Sequence, residues 1–142
     1  MTMLAEAEPN RAERHALRAL WLVVEAVLQL LRYDLTMALF GFKIVHRALS
    51  RWPASGADSD RNTERPICTA IDRASSLYWK RVYCLQRSVV TTRMLRRHGI
   101  RAELVIGCQH VPFVGHAWTE VNGRTVNDSR VFSERLCVLD RV

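Results

Sequence analysis

Apolar residues in the first third of the chain recur at steps of three and four. Leu17, Leu20, Trp21, Val24, Val27, Leu28 and Leu31 fall on this pattern, with Arg14, Arg18, Glu25 and Arg32 between them. The spacing predicts an amphipathic helix. A second helical stretch follows from about Leu35 to Leu49, loosened near Gly41. These pieces cannot bury their stripes by themselves, so they must fold onto the rest of the chain or onto a partner. A polar, breaker-rich run from Pro53 to Asp60 then interrupts the pattern. Two more helices are expected, from Thr69 to about Val82 and from Leu85 to His98, the second stopped by Gly99. From Ile100 the period shortens to that of strands: Ala102–Gly107, Phe113–Val121 and Arg124–Asp128, with Asn122-Gly123 as a hairpin signal. Helices first and strands later predict an α+β fold. The expected organisation is an N-terminal helical subdomain (1–52), a linker (53–66) and a catalytic core (67–142).

Composition narrows the function classes. The chain has 142 residues, 49% of them hydrophobic and 25% charged, as in a soluble globular protein. No run reaches the ~18 apolar residues that span a bilayer. Glu6, Glu8 and Glu13 stand where a signal peptide needs basic residues, so a cytoplasmic location is expected. The net charge of +7 lies wholly in residues 61–142, because Lys and Arg balance Asp and Glu before that. No groove-reading motif accompanies this charge, which argues against nucleic acid. It fits solvated arginine-rich helices, or a surface that attracts an acidic partner. The four cysteines form no CxxC and match no zinc module. Cys108, His110 and His116 lack a fourth ligand, so no metal is expected. Cys68, Cys108 and Cys137 are read as small buried hydrophobes.

Cys84 has a different setting. It falls at the start of the Leu85–His98 helix, where unpaired N–H groups favour thiolate over thiol. His116 lies in the second strand and Asp128 at the end of the third. A cysteine at a helix start, with a histidine and an acid on adjacent strands, is the papain-like arrangement of nucleophile, base and orienting group. Trp118 and Glu120 alternate with His116 and share its sheet face; Trp118 is expected to pack, and Glu120 to be a solvated edge charge.

The flanking residues carry a closer resemblance. Cys84-Leu85-Gln86-Arg87-Ser88, the run Leu95–Gly107, His116-Ala117-Trp118-Thr119-Glu120-Val121-Asn122-Gly123 and Asn127-Asp128 occur in this order. The set resembles the lasso-peptide leader peptidase family, a branch of the transglutaminase-like cysteine proteases. The likeness is strong over roughly Ala70–Ser129. Residues 1–52 read as helices without the strands of a PqqD-like recognition domain, so the chain resembles the stand-alone protease half of that family. The resemblance implies a transglutaminase-like (papain-like) core and the triad Cys84, His116 and Asp128. It also implies removal of a leader from a ribosomally made precursor peptide. The implied partners are that precursor, a separate PqqD-like recognition protein and the lasso cyclase. No Gly-rich phosphate loop is present, and an ATP requirement is left open. The same triad would serve an acyltransferase, and the same fold a non-catalytic peptide-binding module.

The third strand poses a register question. A two-residue turn at Asn122-Gly123 would pair Val121 with Arg124 and turn Asp128 away from His116, leaving Asn127 as its diagonal neighbour. A three-residue loop with a bulge at Gly123 would pair Glu120 with Arg124 and set His116 opposite Asp128. Because the resemblance puts the acid at Asp128, the three-residue loop is expected.

Overall fold

A computed structural model describes residues 10–52, 56–128 and 135–142. Four helices precede a four-stranded antiparallel sheet, so the fold is α+β as the pattern indicates. Helix α1 (Arg11–Phe40) starts where the Glu13 carboxylate accepts from the Asn10 N–H at 2.9 Å. It ends at Gly41, whose φ of 72° breaks the helical path, and α2 (Phe42–Arg51) begins immediately after.

Helix α3 (Arg61–Leu77) begins eight residues earlier than the apolar pattern suggests. Asp60 caps it, accepting from the Thr63 N–H and hydroxyl, both at 3.0 Å. The pattern missed this start because Arg61, Asn62 and Arg65 are exposed and polar. The Pro53–Asp60 run falls partly outside the described residues. Its Gly56-Ala57 end is pinned down: Ala57 donates to Gly99 O at 3.1 Å, and a Cβ on Gly56 would lie 2.7 Å from Arg101 N.

Helix α4 (Cys84–Arg97) ends as Gly99 allows. With φ at 77°, Ile100 N–H donates to Leu95 O and Gly99 N–H to Arg96 O. The expectation that its arginines are simply solvated fails at Arg96. That side chain is 6% exposed and donates to Leu49 O, Trp52 O and Ala102 O, each at 2.8 Å. It supplies the end of α2 with the partners that the last carbonyls of a helix lack.

Strands β1 (Glu103–His110), β2 (Phe113–Val121), β3 (Arg124–Thr125) and β4 (Cys137–Arg141) lie in the order β3-β2-β1-β4. β4 was not anticipated: it is a short, exposed edge strand with no apolar alternation to announce it. One core joins all four helices to one face of the sheet, from Leu22, Ala26 and Leu30 through Ile71, Val90 and Leu95 to Leu104, Ala117 and Val121. The other face carries a smaller cluster of Val105, Trp118 and Leu136.

The outcome for α1 departs from the pattern that revealed it. Its buried face is Leu22, Ala26, Gln29, Leu30 and Tyr33. Most of the predicted stripe lies on the opposite side, with Leu17, Leu20, Trp21 and Leu28 each 58–67% exposed. The helix has two apolar faces, and the fold covers one of them.

Candidate active site

Cys84 is the first residue of α4 and is half-buried. Tyr83 precedes it in extended conformation and offers no side-chain acceptor to the N–H donors of the first turn. Arg87 N–H donates to Tyr83 O at 3.0 Å and closes the first turn. Two residues after the cysteine, Gln86 is 4% exposed and donates to Asp34 of α1 at 2.9 Å. The same carboxylate accepts from the Tyr78 hydroxyl at 2.7 Å and pairs with Lys80 at 2.8 Å. Asp34 thus holds both the segment leading into Cys84 and the turn leaving it. Sequence reasoning missed this role. The available signal was a single acid inside the apolar run from Ala26 to Phe40.

Tyr33, beside Asp34, is nearly buried, and its hydroxyl pKa is pushed up to about 12. Burial is the largest cause, followed by the negative charges of Asp34 and Cys84, which puts Tyr33 within electrostatic reach of the thiol.

The sheet meets α4 with the helix running alongside β2. Ser88 Oγ donates to Ala117 O at 2.9 Å, and Thr92 and Thr119 hydroxyls meet at 3.2 Å. One helical turn therefore matches two strand residues, since about 6 Å of helix rise equals about 6.6 Å of strand. Carried back by a further turn, the same match points the start of α4 toward the Gly115–His116 end of β2. Gly115 shares the α4-facing parity of Ala117 and Thr119, and a Cβ there would meet no described atom within 4 Å.

His116 is half-buried and pairs through Nε2 with Asp128 Oδ2. Its ring stacks beside Trp118, centroids 6.2 Å apart and planes at 21°. Trp118 is 1% exposed, as expected of a packing residue. It donates from Nε1 to Glu120 at 2.8 Å, and Glu120 accepts from Arg141 at 2.6 Å. Glu120 is therefore an engaged carboxylate rather than a solvated edge charge. Gly107, opposite His116, makes room for this arrangement, because a Cβ there would lie 2.8 Å from the Trp118 ring.

The hairpin register is the two-residue one, against expectation. Val121 pairs with Arg124 and Glu120 with Thr125, with Asn122 and Gly123 both at positive φ, 53° and 69°. That turn matches the twist of the flanking strands, which accounts for its preference over a bulge. Asp128 nevertheless meets His116, because regular pairing stops after Thr125. Val126 N–H still reaches Thr119 O at 3.0 Å. The Asn127 side chain then replaces the ladder: its Oδ1 accepts from Thr119 N–H at 2.7 Å and its Nδ2 donates to Ser88 Oγ at 2.9 Å. With the backbone off the ladder, alternation no longer dictates where residue 128 points. The assumption that failed was that the strand runs to Asp128.

The remaining cysteines differ from one another. Cys108 is buried as expected. Cys68 is mostly covered, and burial, with Asp72 and Glu64 adding to it, pushes its thiol up to about 11. Cys137 is exposed on β4, so it is not a core residue. Among the described residues, no cluster of His, Cys, Asp and Glu is suited to a metal ion, and no helix is long and apolar enough to cross a membrane.

Comparison with known proteins decides the family. The family model described as the transglutaminase-like superfamily matches residues 27–139. The chain belongs to that superfamily. Within it, the chain is 32% identical over 84 residues to the microcin J25-processing protein McjB of Escherichia coli. That match covers 57% of this chain and 40% of McjB, so most of McjB lies outside it. No solved structure matches. The transglutaminase-like match starts within α1, so the family's region includes part of the helix that supplies Tyr33 and Asp34.

Proposed function

We propose that this transglutaminase-like chain is a cysteine peptidase that removes the leader from a lasso-type precursor peptide, with Cys84, His116 and Asp128 as its triad. The observation that carries the reading is the His116–Asp128 pair on β2, the strand against which α4, opened without a cap by Cys84, packs. The similarity to a microcin-processing protein supplies the substrate class.

With Asp128 on Nε2, the proton of Cys84 is assigned to the other ring nitrogen, Nδ1. Sulfur then attacks the scissile carbonyl, and the oxyanion is met by the Cys84 N–H. The tetrahedral intermediate collapses, breaking the C–N bond, as His116 returns the proton to the leaving amine. That amine is the new N-terminus of the core peptide, on which a separate cyclase acts. Water, deprotonated by His116, hydrolyses the thioester and releases the leader's carboxylate. Asp128 fixes the ring and stabilises the imidazolium between steps.

A separate PqqD-like recognition protein that holds the leader would raise the rate, because remote binding energy positions the scissile bond. The test incubates the purified chain with a precursor, with and without the recognition protein, and reads product masses. Leader and core masses that vanish in Cys84→Ala support the reading. An isopeptide-linked product in place of hydrolysis would make the chain an acyltransferase, and unchanged precursor under all conditions would make it a binding module. Equal kcat/KM with and without the recognition protein would remove that partner.

A further inference from the structure

The outer face of α1 carries a seam that the fold leaves uncovered. Leu17, Trp21, Val24, Leu28, Leu31 and Leu35 are 61%, 67%, 41%, 58%, 45% and 61% exposed. Their steps of four, three, four, three and four residues give the 3.5-residue repeat by which one helix packs along another. The seam is about 27 Å long at 1.5 Å per residue. Across the helix, Leu22, Ala26 and Leu30 are already in the core. A helix apolar on both sides belongs between two layers, and here the second layer is not part of the described chain.

The charges beside the seam say what kind of layer fits. The positions bordering it on one flank are Arg18, Glu25 and Arg32. Glu25 is turned to its own protein, accepting from Arg97 at 2.9 Å and pairing with His98 at 3.0 Å. Arg18 and Arg32 stay exposed. The other flank offers Leu20, Val27 and Asp34, and Asp34 is occupied by Tyr78, Gln86 and Lys80. An incoming helix therefore meets apolar side chains and two arginines spaced two heptads apart. A second copy packed antiparallel would set these arginines against each other. Packed parallel, it would set Arg32 against Val27 and Arg18 against Glu13, which already accepts from the Asn10 N–H of its own chain. Neither arrangement supplies both arginines with an acid.

We infer that the outer face of α1 docks an amphipathic helix of a different polypeptide, one whose apolar seam packs on Leu17–Leu35 and whose flanking acidic residues meet Arg18 and Arg32. The inference does not depend on the chemistry of Cys84. It has a consequence for that site, because Leu31 and Leu35 flank Asp34, which holds both sides of the cysteine.

The experiment uses the whole chain with two synthetic four-heptad helices, both with a leucine seam, one flanked by Glu and the other by Lys. Fluorescence anisotropy reads their binding, light scattering the oligomeric state, and sedimentation the binding to phosphatidylglycerol/phosphatidylcholine vesicles. The expected result is a monomer that binds the Glu helix about tenfold or more tighter than the Lys helix, a preference that fades with salt. Leu28→Glu with Leu31→Glu removes binding without lowering Tm, since both side chains are exposed. Arg18→Glu with Arg32→Glu reverses the preference. Three results would overturn the inference. One is a dimer that Leu28→Glu with Leu31→Glu dissociates, which would make the occupant a second copy. Another is vesicle binding lost in that variant with no helix bound, which would make it a lipid surface. The third is equal affinity for the two helices.

Discussion

Helices α3 and α4 stand next to each other in the chain, yet their first turns are treated in opposite ways. At α3, Asp60 closes the end, taking both the N–H and the hydroxyl of Thr63. At α4, the capping position holds Tyr83, 67% exposed and without a capping bond, and the first helical residue is Cys84. A capped start is the more stable arrangement. The open start keeps N–H groups aimed at whatever negative charge comes to the helix end, which is what attack on a carbonyl at Cys84 would need. The stability given up is recovered further along α4, where Val89, Val90, Met94 and Leu95 are fully buried and Gly99 completes the far end. Under the proposed function, the missing cap on a helix otherwise so well anchored is the place kept for chemistry.

The largest effect expected from this contrast is at Cys84. Cys84→Ala is expected to lower kcat by a factor of about 10³ or more while leaving Tm nearly unchanged, since it removes the proposed nucleophile from a half-buried position. Activity assay and thermal melt on the same sample check both halves. A variant that still cleaves would remove the open helix start from the mechanism.

Next comes the pair Asp128 and Asn127, which separates orienting from bracing. Asp128→Ala is expected to reduce kcat by roughly 10²- to 10⁴-fold with little change in stability, because it touches His116 at a partly open edge. Asn127→Ala is expected to act on the fold instead, costing about 1–3 kcal/mol as Thr119 N–H and Ser88 lose their partner. Denaturant melts and kcat on both variants check the assignment, and reversed effects would exchange the two roles. Gly115→Val probes the bare stretch of β2. The fold has room for the side chain, so Tm should hold while kcat falls, about tenfold or more, from filling the open space next to His116.

These contrasts also show where the sequence was legible. The helix-to-strand change at Ile100, the break at Gly41 and the stop at Gly99 could all be read, because glycine geometry and apolar period act locally. The stripe of α1 could be read, but not whether its own chain or a partner covers it, because a helix with two apolar faces gives no local sign of which face the fold takes. β4 and the start of α3 were missed since neither presents an apolar alternation. The Asp128–His116 contact was approached through the wrong register. A side chain of Asn127 ends the ladder, and no rule of alternation foresees a side chain standing in for backbone. The Asp34 hub joins residues 44 and 52 apart in sequence, a distance at which single-sequence patterns carry no signal.

A smaller effect comes from making the two helix starts alike. Tyr83→Asp introduces a cap on α4 and is expected to stabilise the fold by about 0.5–1 kcal/mol while slowing catalysis, because the new carboxylate takes the donors that an oxyanion would use. If the variant is both more stable and as active, the open end has no role in catalysis.

The smallest effect is at the other start, and it has a pH signature. The Thr63 N–H holds the Asp60 carboxyl below its ordinary value of 3.8, and the Thr63 hydroxyl adds to this. A lowered acid pKa means that the anion is favoured in the folded state. The stabilisation from this cap is therefore complete above about 3.8 and is lost as pH falls through the folded value. Asp60→Ala should melt slightly below the parent protein at pH 7, and the gap should close as pH drops below 3.8. Catalysis by the variant at neutral pH should be unchanged, since Asp60 caps α3 and not the helix that carries Cys84. Thermal melts of both proteins across that range measure the gap. A gap that stays constant down to pH 2–3 would mean that residue 60 acts on stability through something other than its charge, and the contrast between a closed and an open helix start would lose its electrostatic basis.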